Sequence, residues 1–275
     1  KKAQYHTPSK GGFKSKSLTS LNGYKSTLAL TFCATVFFIS FLFPVLQMLY
    51  WTIIFPKHLA DLNLIELFFN TIVLVFLSSI VLISLAFISN YGNRVSKSKF
   101  LEILTTFSIS GYAIPGIILA VAFITFVSWF DSNVINFFGF NTIKSIFIGS
   151  IFGLIIVYFV RFYSLASNGI KSGYLKINYS IDESAYLLGY SKFRTFKEIH
   201  IPYLKNSILL IGILIAIEII KELPITLIMR PFNFETFATT AYVFASQDLL
   251  EAAAAPSLFL ILIASFFIII TSRYI

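Results

Sequence analysis

Six runs of apolar residues, each long enough to cross a lipid bilayer, constrain the fold of this chain more than any other feature. A transmembrane helix needs about 20 mostly apolar residues. In the whole chain 57% of the residues are hydrophobic and 12% are charged, which is too apolar for a soluble domain of this size. We therefore predict an all-α integral membrane protein with about six transmembrane helices. The predicted spans are 28–55, 67–88, 107–130, 146–165, 207–229 and 252–271.

Three of these spans contain residues that disturb a plain apolar helix. Pro115 in the third span predicts a kink or a break, because proline removes a backbone donor; a simple kink and a gate both explain it. Arg161 lies near one end of the fourth predicted span, where its long side chain can reach the headgroups. The fifth span contains Glu218, Lys221 and Glu222, so its outer boundary stays open.

The distribution of Lys and Arg predicts how the chain is oriented in the membrane. These residues concentrate before the first span, between the second and third spans, and between the fourth and fifth. Cytoplasmic loops carry an excess of Lys and Arg, so we predict that both termini and the loop 166–206 are cytoplasmic. This topology accounts for the net charge of +9 and argues against a nucleic-acid partner.

The first residues differ in composition from the rest. Residues 1–27 are basic, contain Ser and Gly, and lack the short apolar run with a cleavage site that marks a secretory signal. We predict a basic cytoplasmic linker over 1–27 and a six-span transmembrane domain over 28–275. Since the first residue is Lys and not Met, we expect the sequence to be a piece of a longer polypeptide or a trimmed one.

A segment of the loop predicted to be cytoplasmic has the features of a short helix with a defined end. Ser180 and Glu183 have the spacing of a capping box, in which each side chain satisfies a backbone donor at a helix start. The spacing predicts a helix over 181–188. Gly189 then stands where a left-handed C-terminal cap needs a residue without Cβ.

A second short helix is predicted directly afterwards. Ser191 can cap it, and Pro202 is predicted to end it. Its apolar residues recur at helical spacing and form a ridge suited to a groove on a partner protein; an amphipathic connector that packs on the chain's own spans is the alternative. The residues of this predicted ridge are Phe193, Phe196 and Ile199.

This segment, 180–202, resembles the EAA loop of the permeases of ABC importers. The family pattern is Glu-Ala-Ala, three residues, Gly, nine residues, and Ile-x-Leu-Pro. Ser184 replaces an Ala of that pattern and Ile201 replaces its Leu. The resemblance implies that the segment is a coupling helix-turn-helix that receives mechanical work from a separate ATPase subunit. The coupling residues it implies are Glu183, Ser184, Ala185, Gly189, Ile199 and Pro202.

The charged part of the fifth span is the second informative region. On a helix Glu218, Lys221 and Glu222 share one side, and Glu218 can pair with Lys221. Charges at membrane depth usually face the bundle interior or a water-filled route, so both a self-satisfied ion pair and a lining of the substrate route are open. Pro224 is expected to break the helix. The candidate residues of the translocation path are Glu218, Lys221, Glu222, Pro224 and Arg230.

The same region resembles one branch of the family, the iron(III) permeases. The likeness covers most of the chain from residue 40 onward. It is to the second of two homologous six-span halves, which in this family usually share one polypeptide, and it implies the fold of a type I ABC-importer permease. The segments that carry it are 43–47, 70–71, 111–116, 168–170, 221–239, 245–246 and 250–253.

The resemblance implies a transport subunit and not an enzyme. Its expected partners are two cytoplasmic ATPase subunits, a second six-span half, membrane lipid of the bacterial inner membrane, and a periplasmic or surface-anchored protein that delivers ferric iron. ATP and magnesium would be bound by the ATPase subunits, with no cofactor in this chain, which has no phosphate-binding loop. The histidines show no metal-ligand spacing, and we interpret them as solvated loop residues: His6, His58 and His200.

Other functions remain open on the sequence. Related importers for thiamine, molybdate, sulfate or polyamines share the EAA loop. A secondary transporter would use Glu218, Lys221 and Glu222 as an ion relay and would need no ATPase, so a neighbouring ATPase gene discriminates against it. A membrane scaffold protein would use 180–202 only as a docking element, and transport assays in vesicles separate that case.

Overall fold

The computed structural model describes residues 21–96, 98–138 and 147–272, with the backbone alone for 134–138. Every regular element in these ranges is a helix. The chain divides into two units, Lys1–Gln47 and Met48–Ile275. Most of the predicted linker over 1–27 lies outside the described residues, as do Lys97 and Lys144, which contributed to the predicted topology.

In the described ranges, six helical segments are long and apolar enough to cross a membrane, which confirms the predicted fold class. The first comprises α1 (Tyr24–Phe37), a π-helical segment (Phe38–Leu42) and α2 (Phe43–Ile54). A short helix, α3 (Pro56–Ala60), precedes the second, α4 (Leu64–Ser96). The fourth is α7 (Ile151–Tyr174), and the last is α13 (Leu250–Ser272).

The third predicted span is divided in two at Pro115. Helix α5 (Lys99–Ile109) continues into a 3-10 turn (Ser110–Ala113), and α6 (Gly116–Phe138) begins only after the proline. Ile114 has an extended backbone (φ −81°, ψ 128°), as expected for the residue before a proline. The interruption is therefore a break in the helix and not a gentle kink.

The fifth predicted span is also broken. Helix α10 (Ile201–Ile220) ends before Lys221, and a short helix, α11 (Pro224–Met229), starts at the proline. The prediction that Pro224 breaks this helix is confirmed, because proline fits the first turn of a helix but not its interior. A loop then leads to α12 (Phe237–Ser246) and α13.

The fourth span is displaced toward the C-terminus of the chain relative to its prediction. It was expected over 146–165, but α7 runs from Ile151 to Tyr174. Beyond the predicted end at residue 165, α7 contains the polar residues Ser167 and Asn168, which are uncommon in an apolar span. Ser167 is buried against the neighbouring helix, where Asn90 donates to it, so the polar group is satisfied inside the protein and not exposed to lipid.

Helix α7 is the centre of the second unit and packs against α4 and α10. Leu82, Tyr158 and Ile215 are fully buried at this junction. Gly169 allows α10 to approach closely, because a Cβ there would lie 2.6 Å from Cγ1 of Ile211. Since lipid is as apolar as these side chains, close packing and buried polar contacts hold such helices together.

Candidate functional site

The first short helix of the predicted coupling segment is present but is capped by a different residue. Helix α8 (Tyr179–Leu187) begins after Asn178, whose side-chain oxygen accepts from the Ser180 amide at 3.3 Å. The predicted capping box of Ser180 and Glu183 is therefore wrong. Asn is among the best N-cap residues, and it precedes Ser180 by two positions, so the helix starts earlier than predicted.

The end of α8 is as predicted. Gly189 has φ +83°, the left-handed conformation that a residue without Cβ adopts at no steric cost. The Gly189 amide donates to the Tyr186 carbonyl and the Tyr190 amide donates to the Ala185 carbonyl, both at 3.0 Å. These two bonds form a Schellman motif, which confirms the predicted cap and fixes the direction of the chain after α8.

The second short helix starts as predicted and ends differently. Helix α9 (Lys192–Thr195) is capped by Ser191, whose Oγ accepts from the Arg194 amide at 3.2 Å. A π-helical segment (Phe196–His200) then joins α9 directly to α10. The prediction that Pro202 ends the helix is wrong. Pro202 lies in the first turn of α10, where proline is tolerated, and the helix passes uninterrupted from the loop into the fifth span.

A buried charged cluster fixes α8 to the transmembrane helices. Asp182 on α8 is 7% exposed, and its Oδ2 accepts from Nε of Arg94, near the end of α4, at 2.6 Å. The same guanidinium donates from Nη1 and Nη2 to the carbonyls of Ile177 and Asn178, each at 3.1 Å. One arginine therefore joins the end of α4 to the chain that follows α7 and to α8.

His200 is the third member of this cluster. It is fully buried in the π-helical segment before α10, and its Nε2 lies 2.9 Å from Oδ1 of Asp182, although the contact lacks hydrogen-bond geometry. The interpretation of His200 as a solvated loop residue is wrong, because Tyr91 and Tyr174 cover its ring at 5.2 and 5.4 Å between centroids. We call Arg94, Asp182 and His200 the cytoplasmic joint, after the side of the membrane that the distribution of Lys and Arg predicts for them.

The predicted ridge of three apolar residues does not form. Phe196 turns inward, and its ring centroid lies 4.9 Å from that of Phe87 and 4.7 Å from that of Tyr91. Ile199 is half-buried. Because the helix from Lys192 is continuous with α10, one of its faces must pack on α4. Only Phe193 of the predicted ridge points outward.

A different apolar ridge is exposed on the coupling segment. Leu187, Leu188 and Phe193 are 89%, 78% and 73% exposed, and they flank the Schellman turn. Large apolar side chains exposed this far, in a segment outside the apolar spans, mark an interaction surface. We call these three residues the loop ridge. Of the coupling residues implied by the resemblance, Ala185 is buried and Ile199 is half-buried, while the exposed ones are Glu183, Ser184, Gly189 and Pro202.

The candidate residues of the translocation path do not form one cluster. Lys221 Nζ donates to Glu218 Oε1 at 2.7 Å, which confirms the predicted pair. Glu222 does not share their helix side, because α10 ends at Ile220 and the chain turns before α11. Its Oε1 accepts instead from the Ile225 amide in the first turn of α11, at 3.3 Å.

Glu222 is paired with Arg161 on α7. Arg161 Nε lies 3.4 Å from Glu222 Oε2, and Arg161 Nη1 donates to the Ile114 carbonyl at 2.8 Å. The expectation that Arg161 reaches the headgroups is wrong. Because α7 begins later than predicted, Arg161 lies about 15 Å along the helix from Ile151, at 1.5 Å per residue, near the middle of this candidate span and not at its end.

Arg230 belongs to a third location. It pairs with Glu235 in the loop between α11 and α12 and donates to the Phe234 carbonyl at 3.4 Å. With Glu66 and neighbouring residues it lines a cleft of about 590 Å³. The loop is attached to α4 by Asn70, whose Nδ2 donates to the Glu235 carbonyl at 3.0 Å. Among the described residues, no group of three or more His, Cys, Asp or Glu side chains could hold a metal ion.

No protein-family model matches the chain. One similar protein is the Fe(3+)-transport system permease protein FbpB 2 of Haemophilus influenzae, which is 20% identical over 277 residues; the match covers 100% of this chain and 52% of that protein. The chain therefore spans about half the length of this relative.

Two solved structures share its architecture. The first is a bacterial ABC transporter involved in the import of the acidic polysaccharide alginate, with a TM-score of 0.66 and 18% identity over 90% of this chain and 95% of that one. The second is a bacterial alginate ABC transporter in complex with its alginate pentasaccharide-bound periplasmic protein, with a TM-score of 0.69 and 17% identity over 90% and 93%. The chain has the fold of an ABC-importer permease. At these identities the permease likeness is one of fold, and it leaves the substrate to other arguments.

The sequence predicts the two short helices of 180–202 but not the residues that hold them in place. In the sequence, Arg94 is one of several positive charges between the second and third spans. Asp182 stands beside Glu183 and has no role in the predicted coupling pattern. The position of Asp182 is the sequence signal that could have predicted this pairing with Arg94. Asp182 lies three positions before Ala185, which is buried, on the same side of α8, where an acid needs a cationic partner.

Proposed function

We propose that the chain is one six-span half of the permease of an ATP-driven importer. The observation that carries the proposal is the coupling segment. It presents the exposed loop ridge on one side, and on the other side it is fixed by the cytoplasmic joint to α4 and α10. A segment that served only as a connector would bury its apolar residues on its own spans, whereas Leu187 and Leu188 point away from them.

The arrangement suggests how work would reach the membrane. An ATPase subunit that moved the loop ridge would move α8 as a rigid body, since the Schellman motif fixes its end. Through Asp182, α8 is joined to Arg94 of α4 and to His200 at the start of α10. Both spans would then rotate with the segment, which is the kind of rigid-body switch that alternates access.

The proposal requires partners. Two cytoplasmic ATPase subunits would bind ATP and magnesium, so this chain would hydrolyse nothing itself. A second six-span half would complete the path, and its place in the same polypeptide fits the relative of which this chain matches about half. A protein on the outer side would deliver the substrate, as a periplasmic protein does in the alginate transporter complex.

We propose ferric iron as the substrate. The support is the similarity to an Fe(3+)-transport permease, together with the likeness of residues 221–239 to that branch. The solved structures that share the fold belong to alginate transporters, so the fold is compatible with more than one substrate. Thiamine, molybdate, sulfate and polyamines therefore serve as competitors in the test.

Reconstitution tests the function. Proteoliposomes that contain this chain, the second half and the ATPase subunits should take up radiolabelled ferric iron only when ATP and the delivering protein are present. The purified chain alone should show no ATP hydrolysis. Uptake driven by an ion gradient without ATPase subunits would replace the proposal with a secondary transporter, and uptake of a competitor or of alginate in place of iron would break only the substrate assignment.

Cysteine labelling tests the proposed orientation in the inner membrane, with both termini cytoplasmic. In a Cys33→Ser background, a cysteine in place of Lys192 should react with a membrane-impermeant maleimide only in inverted vesicles, and one in place of Ser150 only in intact cells with a permeable outer layer. Ser150 caps the outer end of α7 and Lys192 begins α9. Labelling of the Lys192 position from outside would overturn the coupling argument.

A further inference from the structure

Charged side chains lie on an uncovered face of the chain, near the middle of the fourth candidate span and at the end of the fifth. The Arg161 side chain is 22% exposed, and those of Glu218 and Lys221 are 26% and 55% exposed. Glu222, which pairs with Arg161, directly follows Lys221 in the chain, so the two ion pairs lie close together. Charge within a transmembrane span does not face lipid. This face must therefore adjoin a polar route or another polypeptide.

The two broken spans meet on this face. The third span is interrupted at Ile114 and Pro115, and the fifth between Ile220 and Pro224. Arg161 connects both interruptions, because one of its nitrogens binds the Ile114 carbonyl and another faces Glu222, which caps α11. A single side chain on the continuous helix α7 thus holds two discontinuous helices together.

The contact between Arg161 and Glu222 is loose. Its 3.4 Å separation exceeds the roughly 2.7 to 2.9 Å of a charge-assisted hydrogen bond. Arg161 Nε is buried yet makes no hydrogen bond within the described part of the chain. The start of α6 lies close to the pair. A Cβ added at Gly116 would lie 3.0 Å from Glu222 Oε1 and 3.4 Å from Arg161 Nη1.

We propose that Arg161 and Glu222 form the latch of an intramembrane gate, which closes when the latch joins the interruptions of the third and fifth spans. The inference rests on the proposed function, because a gate is needed only if the uncovered face lines a path. Irregular backbone at membrane depth is tolerated where it lines a cavity or is buried in protein. Release of Glu222 from Arg161 frees α11 to move away from α6, and the path opens between them.

Accessibility of a cysteine at the latch tests the proposal. In a Cys33→Ser background, Ile114→Cys places the reporter beside Arg161 without removing the carbonyl that Arg161 binds. Its rate of reaction with a small, charged, membrane-impermeant thiol reagent is measured in intact cells and in inverted vesicles. Glu222→Gln removes the charge but keeps the size, and we expect it to raise the rate about tenfold from the side that the latch closes, since the closed arrangement then loses its only ion pair to Arg161 in the described structure.

A second variant and two controls separate a latch from a general loosening of the bundle. Gly116→Ala removes no charge but displaces Glu222 by a few tenths of an ångström, so a smaller increase is expected. Glu102→Gln makes the same chemical change on α5 and should leave the rate unchanged. A reporter at fully buried Ser78 should stay unreactive in every variant.

Each result has one meaning. An Ile114→Cys rate that is unchanged from both sides by Glu222→Gln and by Gly116→Ala overturns the latch, and so does an equal increase at the Ser78 reporter. The measurement needs neither ATP nor iron. If reconstituted uptake fails while the reporter responds as expected, the importer assignment falls and the latch stands.

Discussion

The chain contains two arginine–carboxylate contacts that join helices, and they differ in strength. In the cytoplasmic joint, Arg94 is 9% exposed and makes three hydrogen bonds, the shortest at 2.6 Å. In the latch, the Arg161 side chain is 22% exposed, lies 3.4 Å from its carboxylate and leaves Nε without a hydrogen bond in the described structure. In the first, all three guanidinium nitrogens donate a hydrogen bond, whereas in the second Nε donates none in the described structure.

The difference teaches how the two contacts would serve a transporter. A part that passes on movement must not bend, and the joint has the many contacts that stiffness needs. A part that opens must exist in two arrangements of similar free energy. A buried charge with an incomplete set of partners stabilises its closed arrangement only weakly, so the latch is suited to opening and the joint is not.

Removal of Arg94 should have the largest effect. Arg94→Ala leaves Asp182 buried without its cation, and such a loss costs about 3 to 5 kcal/mol. We expect a markedly lower unfolding temperature in detergent, less protein in the membrane and no coupled uptake. Arg194→Ala, which breaks the exposed pair of Arg194 and Glu198, is the matched control and should leave the unfolding temperature unchanged. Equal stability of both variants would mean that the joint is no stiffer than a surface pair.

Arg161→Ala tests whether the latch is the weaker of the two arginine–carboxylate contacts. If the latch is the weaker contact, this variant should insert normally and unfold at a temperature between those of Arg94→Ala and the parent. Its effect should appear in function, as ATP hydrolysis by the assembled complex that no longer drives uptake. A loss of stability as large as that of Arg94→Ala would show that Arg161 is a fixed structural residue.

The turn that aligns the loop ridge comes next in size. Gly189→Val should abolish ATP-driven uptake while insertion stays intact, because φ +83° costs an L-residue roughly 1 to 2 kcal/mol and more for a β-branched one. Gly189→Asn is the control, since Asn tolerates the left-handed region, and most of the uptake should remain. Normal uptake by the Val variant would separate the coupling segment from transport.

The comparison also shows which features the sequence could predict. Local signals sufficed for the number of apolar spans, the left-handed cap at Gly189, the Ser191 cap and the break at Pro224, because each depends on residues adjacent in the chain. The cap at Asn178 was missed since Ser180 competes as a local candidate. Pro202 was misjudged because the rule that proline ends a helix does not say whether another helix starts there.

Both arginine contacts lay beyond local reasoning. Arg94 and Asp182 are 88 positions apart, and Arg161 and Glu222 meet only because the interruptions of two spans lie beside each other. Their pairing depends on how α7 packs against α4, α6 and α11, which no spacing in the sequence encodes. The buried position of His200 is missed for the same reason, since the aromatic rings that cover it come from α4 and α7.

The smallest effect is expected for the pair of Glu218 and Lys221, which serves as the reference for the two arginine contacts. It is the most exposed of the charged contacts on the uncovered face, with side chains 26% and 55% exposed, and helical pairs at such spacing contribute only about 0.3 to 0.5 kcal/mol. The double exchange Glu218→Lys with Lys221→Glu should therefore keep most of the stability and uptake, whereas Glu218→Lys alone places two cations together and should lower uptake moderately. Parallel measurement of all three forms decides the role of the pair. If the double exchange abolishes uptake while the unfolding temperature is unchanged, the positions of the charges matter to the passing substrate, and the pair lines the path instead of merely neutralising itself.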